Sequence, residues 1–175
     1  MADNITVLIS EEDLDRKIKE LGEQISRDYE GQQVHLICVL KGGSFFMCEL
    51  AKRITIPVSI DFMSVSSYGD ASVSSGIVKI VKDLDKPIEG KNVIVVEDII
   101  DTGRTLSYLL KVLSDRKPES IRLCTMLDKP DRRVVDDVNV DYSGFEIPDE
   151  FVVGYGLDYA EMYRNLPYIG VLHLD

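Results

Sequence analysis

The sequence has few of the residues that build disulfide frameworks and metal clusters. It contains no tryptophan, only two histidines and three cysteines, with no C-x-x-C spacing. The cysteines are Cys38, Cys48 and Cys124, and all three lie inside apolar runs. An odd number in such surroundings predicts reduced, buried side chains, and not a disulfide framework or a zinc site.

Long apolar runs and an excess of basic residues are also missing. No stretch approaches the roughly 18 apolar residues of a membrane span, and the N-terminus lacks the pattern of a signal peptide. We therefore expect a cytoplasmic protein with no membrane partner. The 20 basic and 31 acidic residues give a net charge of −11. This surface repels nucleic-acid phosphates, so we expect no nucleic-acid partner and only local binding of any phosphate.

The 175 residues, 45% of them hydrophobic, are typical of one globular domain. No repeat or long linker divides residues 1–175. Predicted strands cover residues 34–40, 57–65, 77–82, 92–96 and 121–127. A first helix is predicted from a cap at Ser10 to an end near Gly31, and further helices cover residues 45–53 and 104–114. This alternation predicts an α/β fold, a doubly wound and mostly parallel sheet flanked by helices. Ligands of such sheets bind beyond the carboxyl ends of the strands, and the less regular terminal segments are expected to form a small hood there.

The segment Ser66–Gly76 has an unusual composition. Its sequence, SSYGDASVSSG, has five serines, two glycines and almost no apolar side chain. Such a segment buries too little surface to hold one conformation, which predicts a mobile loop that acts as a lid over a site.

The most informative stretch is Val95–Leu106, VVEDIIDTGRTL. An apolar strand ends in Glu97 and Asp98, and a turn starting at Asp101 then leads into a helix. The free amides at a helix N-terminus favour a phosphate monoester, whereas the acidic pair suits sugar hydroxyls or a hard cation such as Mg²⁺. The alternative is an ordinary strand–turn–helix with an acidic cap. A P-loop is excluded, because G-x-x-x-x-G-K-[ST] is absent.

This motif resembles the phosphoribosyl pyrophosphate signature of the type I phosphoribosyltransferases. From about residue 34 onward the chain is similar to the bacterial hypoxanthine (hypoxanthine-guanine) members, through four motifs in the family's order. The resemblance implies the type I fold and a purine-salvage reaction. In it, phosphoribosyl pyrophosphate and hypoxanthine or guanine give IMP or GMP and pyrophosphate, with Mg²⁺ as cofactor. It also implies a homodimer or homotetramer.

The resemblance assigns roles to the residues of this stretch. Glu97 and Asp98 would engage the ribose hydroxyls and the metal. The loop implied to hold the 5′-phosphate comprises Asp101, Thr102, Gly103, Arg104 and Thr105. Asp101 would also be catalytic, accepting the proton from purine N7. Arg104 stands where many relatives have lysine, and both are cations.

A second motif, Lys41-Gly42-Gly43, follows the first apolar strand. Two glycines let backbone amides approach an anion, although an ordinary strand–helix turn explains the pattern equally well. The resemblance makes it the pyrophosphate loop, in which the preceding peptide is often cis. It likewise places Ser67 and Tyr68 in the flexible catalytic loop. Without the resemblance, the sequence indicates only a surface loop there.

The last motifs concern the base. The resemblance makes Lys129 the donor to the purine O6. A lysine ammonium has only hydrogen-bond donors, so it pairs with the O6 carbonyl and disfavours the amino group of adenine. Phe151 would stack on the base and the backbone of Val152 would read its edge. Without the resemblance, Lys129 is a solvated turn lysine and residues 151–153 are a core strand.

Two further residues complete the implied site, and rival functions stay open. Asp158 would carry a second Mg²⁺, and Arg164 would help hold pyrophosphate. The rivals are a transferase for xanthine, uracil or adenine, and a non-catalytic regulator that senses phosphoribosyl pyrophosphate. The net charge of −11 disfavours a nucleic-acid-binding regulator. No role is predicted for residues 132–149.

Overall fold

The computed structural model describes residues 4–67, without the side chain of residue 67, and residues 78–173. In chain order its elements are β1 (Ile5–Ile9), α1 (Glu11–Asp28), β2 (Val34–Val39), α2 (Ser44–Arg53), β3 (Val58–Ser67), β4 (Val78–Lys82), β5 (Asn92–Ile100), α3 (Arg104–Ser114), β6 (Ser120–Asp128), a 3₁₀ helix (Pro130–Arg132), β7 (Tyr142–Glu146), β8 (Val152–Val153) and β9 (Ile169–Leu172).

The main sheet has the strand order β4-β3-β2-β5-β6-β7. Its neighbours are parallel except β4, which pairs with β3 antiparallel. Every residue of β2 is buried, as expected for a strand covered on both faces. The predicted fold class, a mostly parallel doubly wound sheet, is confirmed.

Helices cover both faces of this sheet because each has one apolar stripe. In α1, Leu14, Ile18, Leu21 and Ile25 are buried at helical spacing, and Ser10 Oγ caps the helix by accepting from Asp13 N at 3.1 Å. In α3, leucines 106, 109 and 113 are buried in the core on the opposite face, and leucine 110 packs partly buried against them. Full burial of each such side chain contributes about 1.5–3 kcal/mol.

The terminal segments form a second, antiparallel sheet with the order β1-β9-β8. Ile5 pairs with Leu172 and Val152 with Val171, so the two ends of the described chain are joined through β9. This small sheet is the hood expected from the terminal segments.

Two strands extend beyond their predicted ends because each finds a partner. β5 continues through Glu97 to Ile100, which pairs with Asp128 of β6. β3 continues to Ser67, and there Ser66 pairs with Lys79 of β4. The prediction that the loop begins at residue 66 is therefore wrong. Its remaining residues, 68–76, with Tyr68, lie outside the described part of the chain.

The cysteines are all free, but only two are buried. Cys38 and Cys124 lie in the core, whereas Cys48 is exposed, so its predicted burial is wrong. In α2 the buried residues are Phe46, Met47 and Leu50, and position 48 points away from that stripe.

Among the described residues, no helix is both long and apolar enough to cross a membrane.

A buried histidine makes the stability of the fold depend on pH. His35 on β2 is 5% exposed, and its Nδ1 lies 2.7 Å from Ser59 Oγ. Its Nε2 has no hydrogen-bond partner among the described residues. Burial, reinforced by the charge of Lys91, lowers the pKa of His35 from its ordinary value, against the opposing pull of Asp61.

We predict that acid destabilises the protein through His35. As pH falls below about 6.5, the unfolded chain protonates first, and the free energy of unfolding drops by at most about 1.4 kcal/mol per pH unit from this group. In urea unfolding between pH 7.5 and 5.5, His35→Gln should show a smaller decrease than the parent chain. His173→Gln, at an exposed histidine, is the control. Equal decreases in the parent and His35→Gln would contradict this account.

Candidate active site

The site is built around two acids at the carboxyl end of the central strand β5. Glu97 is 8% exposed, and Asp98 Oδ1 accepts from Ile99 N at 2.8 Å. Burial, and then the charge of its neighbour Asp98, holds the pKa of Glu97 well above its ordinary value. Burial also raises the pKa of Asp98. Both carboxyls therefore lie where a nearby cation would favour their ionised forms.

The turn that follows leads directly into α3. Its last residue, Gly103, is the N-cap residue and has a left-handed φ of 81°, which favours glycine. A cavity of about 140 Å³ borders this turn. Its lining includes Glu97, Asp101, Thr102 and Thr105. The start of an 11-residue helix here provides free amides of the kind that bind phosphate.

The glycine motif after β2 lies against the acidic pair. The Leu40–Lys41 peptide is cis. A Cβ on Gly42 would stand 1.6 Å from Asp98 Oδ2, so a larger residue here would displace the carboxylate. A Cβ on Gly156, where φ is 99°, would lie 2.1 Å from Gly42 O. The left-handed φ and the nearby backbone oxygen thus require glycine at position 156.

Two of the predicted cations converge on one carboxylate. Lys41 Nζ lies 2.9 Å from Glu161 Oε2, and Arg164 Nη2 lies 3.9 Å from Glu161 Oε1. Arg164 also contacts Asp158 Oδ1 at 2.8 Å and donates to Gly156 O at 2.6 Å. The hydrogen bond from Lys41 lowers the pKa of Glu161. No sequence motif marks Glu161, although it stands three residues after Asp158.

The predicted base-recognition residues line one cavity of about 480 Å³, a volume within the usual range for small-molecule sites. Its lining includes Asp101, Lys129, Phe151, Val152 and Asp158. Four separate segments of the chain therefore converge on a single space beside the acidic pair.

The side chains of this cavity discriminate between the alternatives left by the sequence. Lys129 is only 11% exposed and donates to Glu150 O at 2.7 Å, so it is not a solvated turn lysine. Val152 and Val153 form β8 and are buried, as the core-strand alternative predicts. Phe151 is 46% exposed. Its ring packs edge-on against the ring of Tyr159, with 5.5 Å between the ring centroids.

Another cavity, of about 590 Å³, is larger but lacks the predicted groups. It is bordered by α1, α2 and residues 165–167, and Phe45 and Tyr155 are among its lining residues. We assign the site to the smaller cavity, because that space brings an acid, a buried lysine and an exposed aromatic ring together. Of the predicted flexible-loop residues, only the backbone of Ser67 belongs to the described chain.

Glu97 and Asp98 are the carboxyls best suited to a hard cation. Among the described residues, no group of three or more His, Cys, Asp or Glu side chains is arranged to hold a metal. Asp158, also predicted as a ligand, is already paired with Arg164. Two carboxylates are nevertheless typical of Mg²⁺ sites in which substrate phosphates supply the other oxygens.

The segment without a predicted role supports the turn. Arg132 Nε donates to Asp101 Oδ1 at 2.9 Å, and Val134 N donates to Thr102 O at 3.1 Å. A Cβ on Gly103 would lie 2.7 Å from Val135 Cγ2. The charged run that follows β6 was the available sequence signal, since it lies at the predicted ligand edge.

The chain is similar to known proteins of one family. Residues 10–160 match the family described as the phosphoribosyl transferase domain. Over 166 residues the chain is 57% identical to the bifunctional protein TilS/HprT of Listeria monocytogenes, covering 95% of this chain and 26% of that protein. It thus spans about a quarter of that relative's length.

Other relatives match over nearly their whole length. The hypoxanthine-guanine phosphoribosyltransferase of Bacillus subtilis is 55% identical over 166 residues, covering 95% of this chain and 92% of the relative. A crystal structure of the hypoxanthine-guanine phosphoribosyltransferase of Bacillus anthracis superposes with a TM-score of 0.93 at 52% identity. The superposition covers 98% of this chain and 100% of that one.

We predict that Glu97 lowers the stability of the protein. Its raised pKa means that the unfolded state ionises more easily, so the free energy of unfolding falls as pH rises above about 4.5. Glu97→Gln should therefore melt at a higher temperature than the parent at pH 7.5 without added metal, and the difference should shrink towards pH 4.5. Glu23→Gln, at an exposed acid of α1, is the control. A lower melting temperature for Glu97→Gln at pH 7.5 would show that the ionised carboxylate is not costly.

Proposed function

The chain belongs to the phosphoribosyl transferase family, and we propose that it makes purine nucleotides by salvage. It transfers the 5-phosphoribosyl group from phosphoribosyl pyrophosphate to N9 of hypoxanthine or guanine, giving IMP or GMP and pyrophosphate. The observation that carries this proposal is the 480 Å³ cavity, in which Lys129 and Asp101 border the same space. The names of its relatives support the same reaction.

The 5′-phosphate binds at the turn before α3. Free amides at the helix start favour the phosphate, and the hydroxyls of Thr102 and Thr105 add donors. Arg104, the first residue of α3, contributes positive charge. This arrangement keeps the phosphate beside the 140 Å³ cavity.

Pyrophosphate binds on the other side of the acidic pair. The amides of residues 41–43 face the leaving group. Lys41 and Arg164 leave the Glu161 carboxylate and bind the oxygens of pyrophosphate instead. Donors placed in advance stabilise charge that develops in the transition state without reorganising at that moment.

The base is held in the 480 Å³ cavity. Lys129 donates to O6, a charge-assisted bond that contributes roughly 1.5–3 kcal/mol. Phe151 stacks on the ring, which by analogy with other base–aromatic stacks adds about 1–3 kcal/mol. The backbone of Val152 reads the edge of the base.

Mg²⁺ fits the donor set, because Glu97 and Asp98 present hard oxygens whose raised pKa values a cation would lower. When bound, it would neutralise charge on the pyrophosphate group as this group leaves. Glu97 and Asp98 would also bind the ribose hydroxyls, and Asp158 would hold a second ion once Arg164 turns to pyrophosphate.

Asp101 acts as the general base. As N9 of the purine bonds to C1 of the ribose and the bond from C1 to pyrophosphate breaks, its carboxylate accepts the proton from N7. Its side chain is 48% exposed on the cavity wall, so a bound base can reach it. General-base catalysis typically contributes about 10²–10⁴-fold.

The remaining expectations form part of the same proposal. Residues 1–175 act as one domain. The three free cysteines support a reducing compartment such as the cytoplasm. A homodimer or homotetramer is the expected assembly.

We predict Mg²⁺-dependent turnover with hypoxanthine and guanine. Steady-state assays with phosphoribosyl pyrophosphate should give IMP and GMP, while adenine should have a kcat/KM lower by about a hundredfold or more, because Lys129 opposes its amino group. Turnover of adenine at a similar rate would contradict the role of Lys129. Binding of phosphoribosyl pyrophosphate without turnover of hypoxanthine, guanine, xanthine or adenine would favour the regulatory alternative.

We predict that Asp101→Asn folds and binds phosphoribosyl pyrophosphate but loses about 10²–10⁴-fold in kcat, because the amide does not accept the proton. The measurements are kcat with hypoxanthine, binding calorimetry and the melting temperature. Asp131→Asn, at an exposed acid of the nearby 3₁₀ helix, should retain parental activity. An unchanged kcat in Asp101→Asn would remove Asp101 from the mechanism.

A further inference from the structure

Arg132 lies in the segment to which neither the sequence motifs nor the proposed reaction assigns a role. Its Nε donates to Asp101 Oδ1 at 2.9 Å. Both side chains are about half exposed, at 45% and 48%, and both line the 480 Å³ cavity. The hydrogen bond to Asp101 is the main reason that the pKa of Arg132 is raised. The contact is therefore directed at the carboxylate and lies inside the proposed site.

The backbone holds the two residues in register. Arg132 ends a 3₁₀ helix, and its N–H donates to Lys129 O at 3.0 Å. Two residues later, Val134 N donates to Thr102 O at 3.1 Å, next to Asp101. The segment 132–134 is thus hydrogen-bonded at one end to Lys129 and at the other to the turn that carries the Asp101 carboxylate.

A second acid orients the guanidinium. Arg132 Nη1 lies 3.7 Å from Asp149 Oδ2, and Asp149 Oδ1 lies 3.6 Å from Lys129 Nζ. Asp149 therefore stands between the two cations. With Asp101 on Nε and Asp149 near Nη1, the planar guanidinium is oriented from two sides, which a single exposed ion pair does not achieve.

Asp101 borders two cavities of the proposed site. It shares the lining of the 140 Å³ cavity with Glu97, so two acids border that space. Arg132 lines the 480 Å³ cavity, with Lys129 and Phe151, and not the 140 Å³ one. Its bond to Asp101 therefore meets the carboxylate on the side where the base is proposed to bind.

We propose that Arg132 is a positioning residue that holds the Asp101 carboxylate towards N7 of the bound purine. The proposal rests on the proposed function and deepens it. Arg132 contacts no reacting atom and acts through Asp101. Losing it should slow the chemical step and leave the binding of phosphoribosyl pyrophosphate unchanged, because that substrate is held by the turn amides and residues 41–43.

The test is a double-mutant cycle on the single-turnover rate of IMP formation with enzyme in excess. Arg132→Gln should lose about ten- to a hundredfold, a loss typical of a displaced catalytic group. Arg132→Lys, which keeps the charge without the planar donor group, should retain an intermediate rate. The Kd for phosphoribosyl pyrophosphate should change less than about twofold in both.

The decisive variant combines Asp101→Asn with Arg132→Gln. If Arg132 acts through Asp101, the double variant is no slower than Asp101→Asn alone, within about twofold. Multiplied losses in the double variant would show that Arg132 acts independently and would overturn the proposal. A parental rate in Arg132→Gln would also overturn it, while the proposed function would stand.

Controls separate this failure from others. Arg116→Gln removes a bidentate surface ion pair with Asp83, far from the site in the fold, and should keep the parental rate. No turnover by the parent chain would defeat the proposed function itself. A parental rate in Asp101→Asn would remove the group on which Arg132 is proposed to act, and the positioning role with it.

Discussion

Two adjacent carboxyls buried at the end of the central strand constrain the rest of the site. Glu97 and Asp98 have raised pKa values because burial disfavours their charges, and Glu97 also because of its neighbour. Burying such a pair lowers the free energy of unfolding, so the surrounding sheet must offset this loss of stability. β5 does so by pairing with β2 on one side and β6 on the other. The contact between Asp98 and Gly42 then fixes where the glycine motif lies.

Charge in the site is balanced locally, although the chain as a whole carries −11. The predicted cations are paired with acids of the same region: Lys41 with Glu161, Arg164 with Asp158, and Lys129 near Asp149. These carboxylates hold the positions that substrate oxygens are proposed to take. The Lys41–Glu161 pair is largely exposed, and such a pair contributes only about 0–1 kcal/mol to stability, so exchanging it for phosphate costs the fold little.

The segment after β6 links the two halves of the proposed reaction. It runs from Lys129, which is proposed to contact the base, to Val134, whose N–H donates to Thr102 O beside Asp101. Arg132 lies between them and contacts that carboxylate. Because one short piece of backbone touches both groups, it sets the position of Lys129 together with that of Asp101, the proposed proton acceptor.

The sequence by itself determined the alternation of strands and helices, the helix bounds of α3 and the position of the acidic pair. These features follow from local apolar periodicity and from turn residues, which depend only on residues close together in the sequence. The ends of β3 and β5 were missed, because they depend on partner strands distant in sequence. Only the tertiary structure decided which charges meet. It exposed Cys48, buried Lys129 and brought Arg132 to Asp101, since side-chain contacts across 20 or more residues leave no period in the sequence.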